Sequence, residues 1–292
     1  MKKALVIGAS GLVGSYLYRA LANKYEIQGT FFRHQINGLL CLDITQVEGV
    51  QGIISSFRPG LVFLPAAFTN VDLAEEQKDV CRQINVEAVR NVVSGLQGRD
   101  DKLIYFSTDY IFDGKNGPWP EDAEPKPLNV YGSSKFDAEK IIQESLSNYL
   151  IIRSTWVYGW EIDGRNFVQS LIRRLNNREI VKVPLDQIAT PTYAGDLADI
   201  VCRLVNENKS GVYNIAGSSL ISRMEFAYLV AEVFGLDKSL ILGVKTEDLV
   251  QQAKRPLNAG LKTGKIEQEL KIRVPTAKES LLRMQKERIN VD

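Results

Sequence analysis

The chain has 292 residues, 45% hydrophobic and 24% charged, which is ordinary composition for a globular protein with a sizeable core. Its 36 basic and 35 acidic residues leave a formal charge of +1, so nothing in the balance favours nucleic acid or an anionic membrane as a partner. His34 is the only histidine, which all but excludes a His-based zinc site or a Ser–His–Asp hydrolase.

Cys41, Cys81 and Cys202 lie far apart without CxxC or metal spacing and read as buried small hydrophobes in a reducing compartment. The carboxylates are scattered without coordination spacing, so no metal site is read. Met1-Lys2-Lys3 before Ala4–Ile7 begins like a signal peptide, but Gly8 stops the apolar run too early. The expectation is a cytoplasmic protein.

In chain order, apolar runs predict strands over Lys3–Ile7, Glu26–Phe32, Leu61–Leu64, Lys102–Ser107 and Leu150–Arg153. Helical patterns fall between them over Leu12–Leu21, Val80–Leu96 and Tyr131–Ser145. This alternation is that of βαβ units, and the near-continuous apolar strands suit a parallel sheet covered on both faces. Beyond about residue 155 short runs at Ile180–Val183 and Gly211–Ile215 mix with helices at Asn166–Asn176, Ala194–Val205 and Arg223–Phe234. Ser222–Glu225 and Thr276–Glu279 have the spacing of capping boxes. The fold class expected is α/β, a Rossmann-type doubly wound parallel sheet. Residues 1–155 would form the dinucleotide-binding part, with a returning segment near 190–215. Residues 156–292 would form a smaller, closely packed substrate-binding region, leaving a cleft between the two.

Gly8-Ala-Ser10-Gly11-Leu12-Val13-Gly14 follows the first strand and opens the first helix. Glycines there allow a tight turn and close approach of backbone to a pyrophosphate, which the free N–H groups of a helix N-terminus can hold. The GxxGxxG spacing resembles that of the short-chain dehydrogenase/reductase superfamily. At the end of the second strand, Arg33 stands where an acidic residue would favour NAD. An arginine can pair with a 2′-phosphate, so NADP is the expected cofactor, with NAD left open. Arg33 also reads as a solvated loop cation. Asp43-Ile44 would lie near the adenine, although Asp43 could equally be a turn residue.

Tyr131 and Lys135 in YGSSK lie one helical turn apart on one face. Ketone reduction needs a hydride at carbon and a proton at oxygen, and a free phenol with a pKa of ~10 exchanges protons sluggishly at neutral pH. A neighbouring ammonium and an oxidised nicotinamide would lower that value, and Lys135 could also hold the nicotinamide ribose. Thr108 and Asp109, ending the fourth strand, offer a hydroxyl for the substrate carbonyl or simply a strand-end turn.

Beyond this, the chain resembles the dTDP-4-dehydrorhamnose reductase family over nearly its whole length. Ala66-Ala67-Phe68-Thr69 followed by Asn70-Val-Asp72-Leu-Ala-Glu75 is similar to the family's AAYTxVDxAE segment, which lines the cofactor, and Asn85-Val86 to the Asn-Val of the next helix. Ser107–Gly114 is similar to STDYVFDG, Pro127–Lys135 to PLNVYGxSK and Arg153–Gly159 to RTSWVYG. Asn166-Phe167, Asp186-Gln187, Pro191-Thr192 and Arg255-Pro256 follow in the family's order. The resemblance implies reduction of the 4-keto group of dTDP-4-dehydro-6-deoxy-L-mannose to dTDP-L-rhamnose. Thr108, Tyr131 and Lys135 would be catalytic, and Asp109, Trp156, Asn166 and Arg255 would bind the nucleotide-sugar substrate. Trp156 also reads as core and Arg255 as a surface cation. Leu64-Pro65, Ala189 and Arg255–Leu261 depart from the pattern on the substrate side. Arg255–Leu261 resembles instead a segment of the regulatory beta subunit of methionine adenosyltransferase, a non-catalytic NADP binder. Another nucleotide-sugar 4-ketoreductase is the remaining alternative, and a homodimer is left open.

Overall fold

The computed structural model describes residues 2–289. Its centre is a seven-stranded sheet in the order Gly211–Asn214, Tyr149–Ser154, Lys102–Thr108, Leu61–Leu64, Lys3–Val6, Glu26–Phe31, Leu40–Cys41. Every pairing in it is parallel. The order reverses between Lys3–Val6 and Leu61–Leu64, so a crevice opens at the carboxyl ends of these strands, where open α/β sheets bind ligands.

Side chains alternate across each strand, and both faces are apolar because both are covered. On one face Leu5, Val62, Leu64, Leu103 and Ile151 pack against Val50 and Ile54 of helix Val47–Phe57, Val89 and Val93 of helix Ala88–Leu96, and Ile142 of helix Val130–Ser145. On the other, Val6, Phe63, Ile104 and Ile152 meet Leu17 of helix Leu12–Leu21 and Val201 of helix Ala194–Asn206. The same apolar mass continues through Val183, Phe226 of helix Arg223–Phe234 and Met284 of helix Ala277–Ile289. Each fully buried aliphatic side chain of this kind contributes about 1.5–3 kcal/mol.

The predicted strands and helices are present with shifts of a residue or two at their ends. Val80–Leu96 is not one α-helix: α-helical Lys78–Arg82 passes into a π-turn over Gln83–Glu87 before Ala88–Leu96. Both capping boxes form. The Ser222 hydroxyl accepts from the Glu225 N–H while that carboxylate accepts from the Ser222 N–H, and Thr276 and Glu279 exchange the same pair of bonds. Cys81 and Cys202 are buried, but Cys41 is exposed because it sits in the two-residue strand at the sheet edge. Among the described residues no helix is long and apolar enough to cross a membrane.

Candidate active site

The glycine turn lies at the crevice. Gly8 has φ +95° and donates its N–H to the Thr30 hydroxyl at 3.1 Å. A Cβ on Gly14 would fall 2.0 Å from the Gly8 carbonyl oxygen, so packing alone demands glycine there. Gly11 differs. It caps the helix Leu12–Leu21 with φ −83°, is exposed, and a Cβ on it would meet nothing closer than 3.5 Å. No protein contact requires glycine at this position. The helix start also lacks a side-chain cap and an acidic residue in its first turn. Such an unobstructed set of backbone N–H groups at a switch point fits a dinucleotide pyrophosphate.

Around the turn, Arg33 is exposed in the loop after Glu26–Phe31. The Asp43 carboxylate accepts from both the N–H and the hydroxyl of Thr45, at 2.9 and 2.7 Å, so it makes the turn that its sequence context allowed. Ile44 packs on the sheet's helical layer. Ala66 and Ala67 are half-buried and Phe68 is buried at the end of Leu61–Leu64. Asn85, in the π-turn, accepts from the Phe68 N–H at 2.8 Å and donates to the Phe68 carbonyl at 3.1 Å and to the Ser134 hydroxyl at 2.9 Å. The π-turn thus ties the segment that follows Leu61–Leu64 to the helix that carries Tyr131.

That helix, Val130–Ser145, starts where the Asn129 side chain accepts from the Gly132 N–H at 2.8 Å and Glu75 accepts from the Val130 N–H at 2.8 Å. Burial pushes the Tyr131 phenol above its usual range, and a hydrogen bond with the Thr108 hydroxyl is the largest opposing influence. Thr108 in turn donates to Asp109 Oδ1 at 3.0 Å, and Thr155 donates to Asp109 Oδ2 at 2.7 Å. Burial raises the Asp109 carboxyl to about 7 despite these bonds. Burial also lowers the Lys135 ammonium to about 7, partly opposed by the charge of Glu139 one turn further on. Sequence reasoning expects Lys135 to lower the Tyr131 phenol. In the protein by itself the phenol is raised instead, because burial outweighs its neighbours and thins the charge on Lys135. Glu139 is fully buried against Arg153, which donates to it through Nε and Nη2.

The other flank of this cluster is built from more distant segments. Trp156 is half-buried at φ +42°, a backbone conformation that a large side chain holds only under tertiary constraint. Arg223 places its guanidinium carbon 3.3 Å from the Trp156 ring centre and 4.6 Å from that of Phe167. Burial lowers Arg223 to about 10, with Tyr110 and Asp109 opposing and Arg255 adding to the effect. Arg255 is no surface cation. Its side chain is 10% exposed, Nη2 donates to Asp72 Oδ2 at 2.6 Å, and the guanidinium lies 6.0 Å from the Tyr110 ring. Asn166 instead caps helix Phe167–Asn176, accepting from the Gln169 N–H and donating to the Gly159 carbonyl and to Glu161.

Thr108, Asp109, Tyr131 and Lys135 are therefore brought together, with Arg223 and Arg255 facing the same polar cluster. Arg33 and Asp43 lie apart at the second strand, and Asn166 is engaged locally. Sequence reasoning missed Arg223 and Tyr110, and it named Asp72 only within the cofactor-lining segment, not as the partner of Arg255. Arg223 reads from sequence as the first residue of a capped helix, and only the fold brings it to Trp156.

The chain matches the family described as "RmlD substrate binding domain" over residues 1–289. It is 33% identical over 282 residues to dTDP-4-dehydrorhamnose reductase of Aggregatibacter actinomycetemcomitans, covering 92% of this chain and 93% of that one. It is 28% identical over 278 residues to the methionine adenosyltransferase 2 subunit beta of Xenopus laevis, covering 91% and 82%. The crystal structure of dTDP-4-dehydrorhamnose reductase from Bacillus anthracis str. Ames in complex with NADP superposes with a TM-score of 0.91 at 32% identity, covering 98% of this chain and 100% of that chain. With the parallel sheet, the glycine turn and the Thr–Tyr–Lys cluster in place, the chain belongs to the dTDP-4-dehydrorhamnose reductase family of NAD(P)-dependent oxidoreductases.

Proposed function

We propose that the protein reduces the 4-keto group of dTDP-4-dehydro-6-deoxy-L-mannose to dTDP-L-rhamnose with NADPH, Tyr131 donating the proton. Gly8–Gly14 would hold NADPH and Arg33 would meet its 2′-phosphate; bound there, the cofactor would supply the hydride. The observation that carries the reading is the meeting of Tyr131 with Thr108 one helical turn from Lys135.

Burial keeps the phenol protonated at neutral pH, the state a proton donor needs at the start of a reduction. Thr108 and Tyr131 together hold the substrate carbonyl oxygen, and the proton passes from the phenolic oxygen to it. The resulting phenolate is stabilised by the Thr108 hydroxyl and by Lys135 in its charged form. Asp109, poised near pH 7, sets the Thr108 rotor. Ionised, it accepts the Thr108 hydrogen; protonated, it can donate to Thr108 and turn that hydrogen toward the substrate.

Purified protein incubated with NADPH and the 4-keto-sugar nucleotide, followed by absorbance of the reduced cofactor, tests the assignment. Tyr131→Phe should lower turnover by about 10²–10⁴-fold and leave NADPH affinity nearly intact. A second reading, a non-catalytic NADP-binding regulator, draws on Arg255–Leu261 and on the likeness to the Xenopus subunit. Tight NADPH binding without consumption, on any 4-keto-sugar nucleotide offered, would favour it. Consumption only with a different 4-keto-sugar nucleotide would keep the chemistry and change the sugar.

A further inference from the structure

Two opposite charges lie buried where the helix that carries Tyr131 and Lys135 packs on the sheet. Glu139 belongs to that helix, Val130–Ser145, and Arg153 to the strand Tyr149–Ser154. Arg153 Nε donates to Glu139 Oε1 and Oε2 at 3.1 and 3.2 Å, and Nη2 donates to Oε2 at 2.7 Å. Taking such a pair out of water costs about what its attraction returns, and apolar side chains of similar volume would hold the fold as well. Stability alone therefore does not account for a carboxylate at this position. Its place in the chain does: Glu139 follows Lys135 by four residues and shares its buried helix face.

Lys135 needs such a neighbour. Its ammonium lies over the Tyr105 ring, a weak partner for a full charge. The other titratable groups on this face are Tyr131 one turn before it, Tyr105 on the strand Lys102–Thr108 and Cys81 on the helix Lys78–Arg82. Burial holds these two phenols and the thiol in their neutral forms. Asp109 lies beyond Tyr131, with its oxygens taken by the Thr108 and Thr155 hydroxyls. Glu139 is thus the carboxylate whose charge acts on the ammonium.

We propose that Glu139 is a positioning residue for the reduction: its carboxylate, gripped from behind by Arg153, keeps Lys135 charged beside Tyr131. The proposal rests on Tyr131 as the proton donor and adds the group that makes Lys135 fit to receive the phenolate. The Arg153 fork engages both carboxylate oxygens, which fixes where the negative charge sits. Arg153 is itself anchored on its other side, where Nη1 donates to the Glu121 carbonyl at 2.8 Å and the Glu121 carboxylate accepts from the Asn214 N–H at 3.1 Å.

The first readout is the ionisation of Lys135, followed in the full-length protein by the Cε resonance of isotopically labelled lysine, which Lys135→Met identifies by its loss. Wild type should titrate at about pH 7. Glu139→Gln should lower that midpoint by about one pH unit, about tenfold in the ionisation constant. It also leaves Arg153 unpaired, so a second variant combines Glu139→Gln with Arg153→Met; it carries neither charge and should keep the lowered midpoint. Glu139→Asp should recover most of the wild-type value. The second readout is turnover with NADPH: the alkaline fall in kcat should move down by the same interval in both neutral variants, with NADPH affinity nearly unchanged. An unmoved midpoint in these variants, a return to the wild-type midpoint once Arg153 is also neutral, or failure of both to fold overturns the proposal. A moved midpoint in a protein that reduces no 4-keto-sugar nucleotide would sink the reductase reading alone. Turnover with an unmoved alkaline limb would sink the role of Glu139 alone.

Discussion

The Lys135 ammonium lies 4.1 Å from the centre of the Tyr105 ring, with Lys135 only 2% exposed and Tyr105 fully buried. The ring face offers a weak attraction for a cation, yet the Tyr105 hydroxyl finds no partner among the described residues. A charge held this way is tolerated for chemistry rather than for stability.

Replacing that lysine should accordingly strengthen the fold. The group's native value, about 7, lies below its unfolded value of 10.5, so the unfolded chain binds the extra proton between those limits. Stability lost to Lys135 is largest below pH 7 and vanishes as pH rises past about 10.5. Lys135→Met should raise unfolding stability by about 1–3 kcal/mol at pH 6, with the gain shrinking toward pH 10, while turnover collapses. Denaturant melts of both proteins across that range give the comparison; a constant difference would mean the lysine is not what titrates.

Asp109 carries the opposite sign. Its native value of about 7 exceeds the unfolded 3.8, so full stability is present below pH 3.8 and is eroded as pH rises to 7. Asp109→Asn should remove that erosion and stabilise the protein by about 1–3 kcal/mol at pH 8, with little effect near pH 4. Thermal midpoints at the two pH values decide it.

Two glycines of the same turn should respond differently. Gly14→Ala forces a Cβ to 2.0 Å from a carbonyl oxygen and should destabilise the fold by several kcal/mol. Gly11→Ala has room, and should leave the melting curve within about 0.5 kcal/mol of wild type while weakening NADPH binding at least tenfold. Equal melting losses would show that Gly11 is a folding requirement after all.

Arg33→Ala should cost NADPH affinity about tenfold and leave NADH affinity unchanged, since the exposed guanidinium is the group proposed to pair with the 2′-phosphate. Fluorescence titration with both cofactors measures the ratio; an equal loss for the two would place the side chain elsewhere.

The sheet and the placement of Tyr131 and Lys135 on one helix were legible because their signals are local: apolar runs of strand length, a glycine turn between strand and helix, and a one-turn spacing from Tyr131 to Lys135. Helix Val47–Phe57 was missed. Gly49 and Gly52 weaken its helical signal, and only Val50 and Ile54 are buried. The π-turn at Asn85 is invisible to periodicity, since it arises from the bonds of that side chain to Phe68 and Ser134. Asn166 fitted the family pattern, yet its side chain serves as a helix cap. Arg223 and Asp72 gain their meaning only from partners far along the chain.

A single apolar mass runs from Val6 under the cofactor crevice to Phe226 and Met284 behind the substrate side. One face of the sheet and the C-terminal helices therefore share one interior. Heating should accordingly melt the sheet and the C-terminal helices in one cooperative transition rather than in two steps.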